Sequence, residues 1–183
     1  MVIGKHECAN ARDTDLKRAL DIGLDEALTA PQEAFTGLSD EQVRVFPLPG
    51  RNNIAWIVMH CLDNLDDCVV GRQTGNRLYP SEWRWDLWQC TDEERPKPED
   101  AYPSTADMLA RLDAIREAGL AALEGMTEAS LRRQVDWHPD KSVPADFYIR
   151  AIYHTMPHVR QIWLLRGAMG AAGGLAWPRQ HRA

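Results

Sequence analysis

Residues 145–167 read ADFYIRAIYHTMPHVRQIWLLRG, and on this stretch the fold turns. Phe147, Ile149, Ile152, Met156, Val159, Ile162, Trp163 and Leu165 place apolar surface nearly all round a helix. A helix of that kind lies centrally or at a subunit contact. Pro144 precedes it, where proline is tolerated in the first turn, and a Gly-rich exit follows Gly167. Pro157 falls inside and is expected to cost a hydrogen bond and kink the axis. His154 and His158 flank that proline four positions apart, on one face, with Cβ atoms roughly 5–6 Å apart. Beside them stand Phe147, Ala151, Gln161 and Leu165, so both imidazoles project from a core-like face. Burying them unpartnered is costly, and either a shared ion or a hydrogen-bond network removes the cost. Two histidines supply only two ligands, whereas a catalytic zinc-type site takes three and keeps an open position. The HxxxH spacing lacks the glutamate of HEXXH, so structural histidines, a wet cleft and a metal site all stay open on spacing alone.

Three more long helices precede this one. Leu16, Ala19, Leu20, Gly23, Leu24, Ala27 and Leu28 recur at three- and four-residue intervals after Thr14, and Pro31 is expected to end or weaken that helix. Ser39 and Gln42 have capping-box spacing for a short helical turn, and FPLPGR (46–51) reads as an extended connection. A second long helix is expected over 53–70. Ile54, Val58, Leu62, Leu65 and Val69 form its apolar face; Asn53, His60, Asn64 and Asp67 form a polar stripe flanked by Trp56 and Ile57. From this helix alone His60 faces water. Ser104, with Asp107 at capping-box distance, opens a third long helix whose buried side is Met108, Leu109, Leu112, Ile115, Leu120 and Leu123, closed by Gly125. Residues 127–133 read as a short helix and 135–143, with Trp137 and His138, as a loop or brief hairpin. The expectation is an all-α four-helix bundle with short extra helices, one domain over 1–183.

Between the second and third long helices, 71–103 reads as a long irregular connection. Connections of that length serve as lids, binding loops or interfaces. Trp83, Trp85, Leu87 and Trp88 lie in it, too much apolar surface to leave in water, so they must pack on the body or on a second copy. Together with the all-round apolar last helix they point to a homodimer.

With 44% hydrophobic and 26% charged residues in 183, the composition is that of a globular chain. A net charge of −6 argues against a nucleic-acid partner, which needs a basic surface. No apolar run approaches the roughly 18 residues of a membrane span, and residues 1–15 lack a signal-peptide core, so a cytoplasmic, membrane-free protein is expected. Cys8, Cys61, Cys68 and Cys90 show no CxxC spacing and read as free thiols, with Cys61 and Cys68 as small core residues.

Three patterns, NNIAWIVMHCLDNLD (52–66), RAIYHTMPHVRQIWLLRG (150–167) and WPRQH (177–181), in this order, resemble the DinB-like (YfiT-like, damage-inducible) superfamily of metal-binding four-helix bundles. The resemblance implies that one histidine of the second helix and two of the last bind a divalent metal; here these are His60, His154 and His158. Zinc or nickel is expected first, with iron, manganese or copper as alternatives. Some members of that superfamily are thiol-dependent transferases or isomerases using mycothiol, bacillithiol or glutathione, and one branch resembles metal-dependent hydrolases. A low-molecular-weight thiol and a small electrophile are therefore the implied partners. Three neutral histidines leave a dication's charge uncompensated, which acidifies a water or thiol. No side chain is placed as an obvious nucleophile, so no catalytic residue is assigned. The alternative is a non-catalytic metal- or ligand-binding dimer. Asp63, Asn64 and Asp67, within one or two turns of His60, read either as outer partners of the ligands or as a solvated acidic stripe. His181 is close enough to the C-terminus to reach back to the metal or to a partner chain, or simply to be exposed.

Overall fold

The structure, a computed structural model, describes residues 5–83, 101–136 and 142–171, with side chains from residue 15. In order the elements are α1 (Lys5–Phe35), α2 (Asp40–Arg44), α3 (Ile54–Leu65), a π-helical turn (Asp66–Gly71), α4 (Arg72–Thr74), a 3₁₀ turn (Ser81–Trp83), α5 (Thr105–Glu124), α6 (Glu128–Leu131) and α7 (Pro144–Ala168). The described residues hold no strand. Four long rods make the bundle: α1, α3 with its π-helical continuation, α5 and α7. Helix α7 lies against α1 and α3, while α5 lies against α1 and the π turn.

Helix α1 buries Leu20, Leu24, Ala27 and Leu28 as the periodicity predicts. It does not end at Pro31, however, but runs on to Phe35. The reason lies outside the helix. Ala34 and Phe35 are fully buried in the core, and Arg166 of α7 donates from Nη1 to the carbonyls of Ala34 and Thr36 at 2.8 and 2.9 Å. A cation supplying hydrogens to the last carbonyls complements the helix end.

The capping residues act locally and as expected. Ser39 and Gln42 form a reciprocal box at the start of α2. At α5, Ser104 Oγ accepts from the Asp107 amide at 3.1 Å and donates to Asp107 Oδ2 at 2.7 Å. Helix α3 starts at Asn53, whose Oδ1 accepts from the Trp56 amide at 2.8 Å. Asn53 is wholly buried, and its Nδ2 donates to the Arg44 carbonyl at 3.2 Å and to the Tyr102 hydroxyl at 3.3 Å.

Two expectations for the second long helix need correction. The polar stripe does not face water: Asn53 and His60 are buried, and Asn64 and Asp67 are half-buried. Helix α3 is central, touched by α1, α2, α5 and α7, so even its polar side has a neighbour. The regular helix also stops at Leu65, and a π turn takes over from Asp66. There the buried Asp66 carboxylate accepts from Arg77 Nε at 3.0 Å and from the amides of Leu78 and Tyr79 at 2.9 Å each. These bonds draw the outgoing chain back over the helix end. Gly119 lets α5 approach the same turn, since a Cβ there would meet Val69 Cγ2 at 2.7 Å. Gly75, with φ of +81°, then turns the chain away from α4.

Helix α7 begins at Pro144, with the Val143 amide donating to Asp146 Oδ2 at 3.0 Å. It continues through Pro157 to Ala168. The Val135 amide donates to the Ser142 carbonyl at 2.9 Å, closing the neck of the 135–143 segment; Trp137 and His138 lie outside the described residues. Of the tryptophan-bearing connection, Trp83 is half-buried, edge-on to Tyr79 at 5.7 Å and under the Arg111 guanidinium at 5.7 Å. Trp85, Leu87 and Trp88 fall outside the described residues, as do His181, Cys90 and the side chain of Cys8. Cys61 and Cys68 are buried, and neither is in a disulfide. No described helix is long and apolar enough to cross a membrane.

Candidate metal centre

Helices α3 and α7 bring together three imidazoles. His60 comes from α3; His154 and His158, one turn apart, come from α7. One face of α7 buries Ala151, Thr155, Val159 and Ile162, which seats the helix and leaves the two histidines beside that face, toward α3. The ring centroids lie 4.8 Å apart for His60 and His154, 4.9 Å for His60 and His158, and 4.8 Å for His154 and His158. One ring nitrogen from each falls within 4.8 Å of the others. His60 is only 9% exposed, so it is turned into the cluster rather than into solvent.

Two nitrogens bound to one tetrahedral ion at about 2.0–2.1 Å stand roughly 3.3 Å from each other. The Nε2 atoms of His60 and His154 are 3.1 Å apart. His158 turns its Nδ1 to Gln161 Oε1 at 2.9 Å; with the amide oxygen as acceptor, Nδ1 carries the proton and Nε2 is left for the centre. Burial, then the neighbouring His60 and His158, and then Arg150, push the His154 pKa down from 6.5 to about 4. A basic nitrogen that stays unprotonated at neutral pH is what a cation requires. His154 Nδ1 is itself buried with no hydrogen-bond partner. Geometry, protonation and donor type therefore fit a divalent ion.

The surroundings are built from the same two helices. Trp56, one turn before His60 and 3% exposed, stacks on its ring with centroids 5.1 Å apart and planes inclined by 11°. Arg150 stands one turn before His154 on α7, and its charge is felt at both His154 and Cys68. The acidic residues near His60 are drawn into arginine pairs: Asp63 accepts from Arg77 Nη2 at 2.6 Å, and Asp67 from Arg72 Nε at 2.9 Å. Asn64 Oδ1 accepts from Cys68 Sγ at 3.9 Å. Burial first, and then the Asp67 charge, push the Cys68 thiol up to about 12. A thiol so held is not a nucleophile at neutral pH.

Reading the residues in order singled out the three histidines but gave Gln161 and Arg150 no role. Their signal is the spacing itself, three after His158 and four before His154, which places both on the histidine side of α7.

No curated protein matches the chain. Among solved structures, a conserved protein from Enterococcus faecalis is 17% identical with a TM-score of 0.55, the match covering 84% of this chain and 96% of that one. YfiT from Bacillus subtilis, described as a probable metal-dependent hydrolase with an unusual four-helix bundle topology, is 18% identical with a TM-score of 0.57 over 92% and 91% of the two chains. At such identities the likeness establishes the shared fold. The family model of the DinB superfamily matches residues 24–162, a span that contains all three histidines, and the chain therefore belongs to the DinB superfamily.

Proposed function

We propose that this protein is a metal-dependent enzyme in which His60, His154 and His158 hold a divalent cation, zinc or nickel first, and that it transfers a low-molecular-weight thiol to a small electrophile. The observation that carries the reading is the convergence of three imidazole nitrogens, from two helices, within 4.8 Å. A divalent cation held there supplies Lewis acidity, making a thiol or water in contact with it far more acidic. The chain's own part is to hold, orient and screen. Trp56 covers one face of His60, restrains its ring and screens it from solvent. Arg150 adds positive charge beside His154, which favours an anionic ligand such as a thiolate or a carboxylate-bearing thiol. With Asp63 and Asp67 in arginine pairs, the local charge of the loaded site is positive within a chain of net charge −6.

Hydrolysis is the second reading, supported by the description of YfiT as a probable metal-dependent hydrolase. Both use the same three ligands and differ in whether thiol or water is activated. A non-catalytic metal-binding dimer is the remaining alternative. Dimerisation is proposed with either reading: Ile149, Tyr153 and Leu164 are 46%, 62% and 63% exposed along α7, an apolar stripe suited to a second copy of the chain.

The test is elemental analysis of purified protein followed by assays of the loaded form with thiols and electrophiles, and with ester and amide substrates. Thiol-dependent turnover supports transfer, and thiol-independent turnover supports hydrolysis. A bound stoichiometric metal without turnover leaves the binding protein, and absence of metal uptake removes the centre altogether.

A further inference from the structure

Each histidine of the cluster must present a bare nitrogen to the centre, and nothing in an isolated imidazole decides which of its nitrogens that is. The two tautomers of a neutral ring are nearly equal in energy, and the hydrogen bond made by the other nitrogen selects between them. On α7 the two histidines differ in this respect. His154 Nδ1 is buried with no hydrogen-bond partner, whereas His158 Nδ1 meets Gln161 Oε1 at 2.9 Å. With Nε2 of His60 and Nε2 of His154 already 3.1 Å apart, at most one proton fits between those two, and a further proton pointing inward from His158 would crowd the same space. An acceptor on the outer side of His158 removes that proton from the centre.

We propose that Gln161 is a positioning residue for the metal centre: its amide oxygen holds His158 in the Nδ1–H form and in the rotamer that aims Nε2 at the ion. The inference rests on the metal reading above and adds to it the outer partner that ligating histidines need. Gln161 sits three residues after His158, one turn along the same face of α7. Its side chain is exposed, so it contributes little packing and its replacement leaves the fold intact. A carboxylate at 161 is a stronger acceptor than an amide and makes the imidazole a better donor to a cation; an aliphatic side chain there accepts nothing.

Two measurements on the full-length chain test this. In the metal-free protein, long-range ¹H–¹⁵N correlation of the imidazole reports the tautomer directly. Wild type is expected to show His158 as Nδ1–H, and Gln161→Leu to shift it toward Nε2–H. In the second, cobalt(II) is titrated against a competing chelator, with the visible spectrum recorded. Gln161→Leu is expected to lose about 10–100-fold in affinity, the range for loss of an outer partner, with a changed cobalt spectrum. Gln161→Glu is expected to regain or exceed wild-type affinity. Wild-type cobalt affinity and spectrum in Gln161→Leu overturn the proposal while leaving the metal centre standing. Failure of Gln161→Glu to recover what Gln161→Leu loses also overturns it, because the role is then not that of an acceptor. If wild type takes up no cobalt, the metal reading falls and the positioning role falls with it, whatever the tautomer.

Discussion

The Nε2 atoms of His60 and His154 stand 3.1 Å apart although 94 positions separate the residues in the chain. Such an approach of two basic nitrogens calls for something positive between them, a proton or a metal ion. With His158 completing the triangle, the proposed centre takes one ligand from each histidine. His60→Ala, His154→Ala and His158→Ala are each expected to weaken zinc binding by at least about 100-fold, the upper end of what loss of a mere outer partner costs. Chelator competition measures it, and wild-type affinity in His60→Ala would remove α3 from the site.

The metal-free protein should lose stability as pH falls through the weakly acidic range. His154 is held neutral down to about pH 4 in the folded chain, against 6.5 for the free group, by burial and by its two histidine neighbours. Between these values the unfolded chain binds a proton that the folded chain does not, so stability rises with pH across that window. The contribution is complete above the unfolded value and is lost as pH falls toward the folded one. Urea unfolding at neutral pH and at about pH 5 should show the decline, and His154→Gln should flatten it. In loaded protein the decline should be steeper, because protons then compete with the cation for the same lone pairs.

Asp66 is expected to matter for folding and not for metal. Its fully buried carboxylate takes hydrogens from the Arg77 side chain and two backbone amides. Asp66→Ala strands the two amides and leaves Arg77 with Asp63 alone, which should cost about 3 kcal/mol in denaturant unfolding. Zinc affinity of the folded variant should match wild type, and a large loss of affinity would mean that the π turn itself sets the position of His60.

Arg150 should decide between thiols. Loaded protein is expected to turn over a carboxylate-bearing thiol such as glutathione faster than a neutral one such as 2-mercaptoethanol. Arg150→Gln should remove about tenfold of that preference, the order of one hydrogen bond to a charged group, with metal content unchanged. Equal loss with both thiols would show that Arg150 acts on the centre and not on the substrate.

The exposed stripe of α7 should hold two copies together. Leu164→Glu, with Tyr153→Glu as a second variant, is expected to shift light-scattering mass from dimer to monomer without changing the helical circular-dichroism signal. A monomeric wild type at micromolar concentration would dispose of the interface.

Much of the architecture was legible one helix at a time. The spacing of Leu20, Leu24 and Leu28, the caps at Ser39 and Ser104, and the four-residue interval of His154 and His158 are all consequences of 3.6 residues per turn, which acts over a few neighbours in the chain. The continuation of α1 past Pro31 was not legible, because what sustains it is Arg166, far away in sequence, reaching the carbonyls of Ala34 and Thr36. Nor was the π turn, which coincides with the hydrogen bonds between Asp66 and residues 77–79.

The amino-acid order by itself determined that four long helices form, that Ser104 caps the third, and that two imidazoles share one face of the last. Only the tertiary structure decided that the polar side of α3 is covered and that His60 is therefore buried against α7. A helical wheel records the direction in which a side chain leaves its own helix. Whether that direction ends in solvent or in another ring depends on a partner helix, whose position is set by packing summed over the whole core.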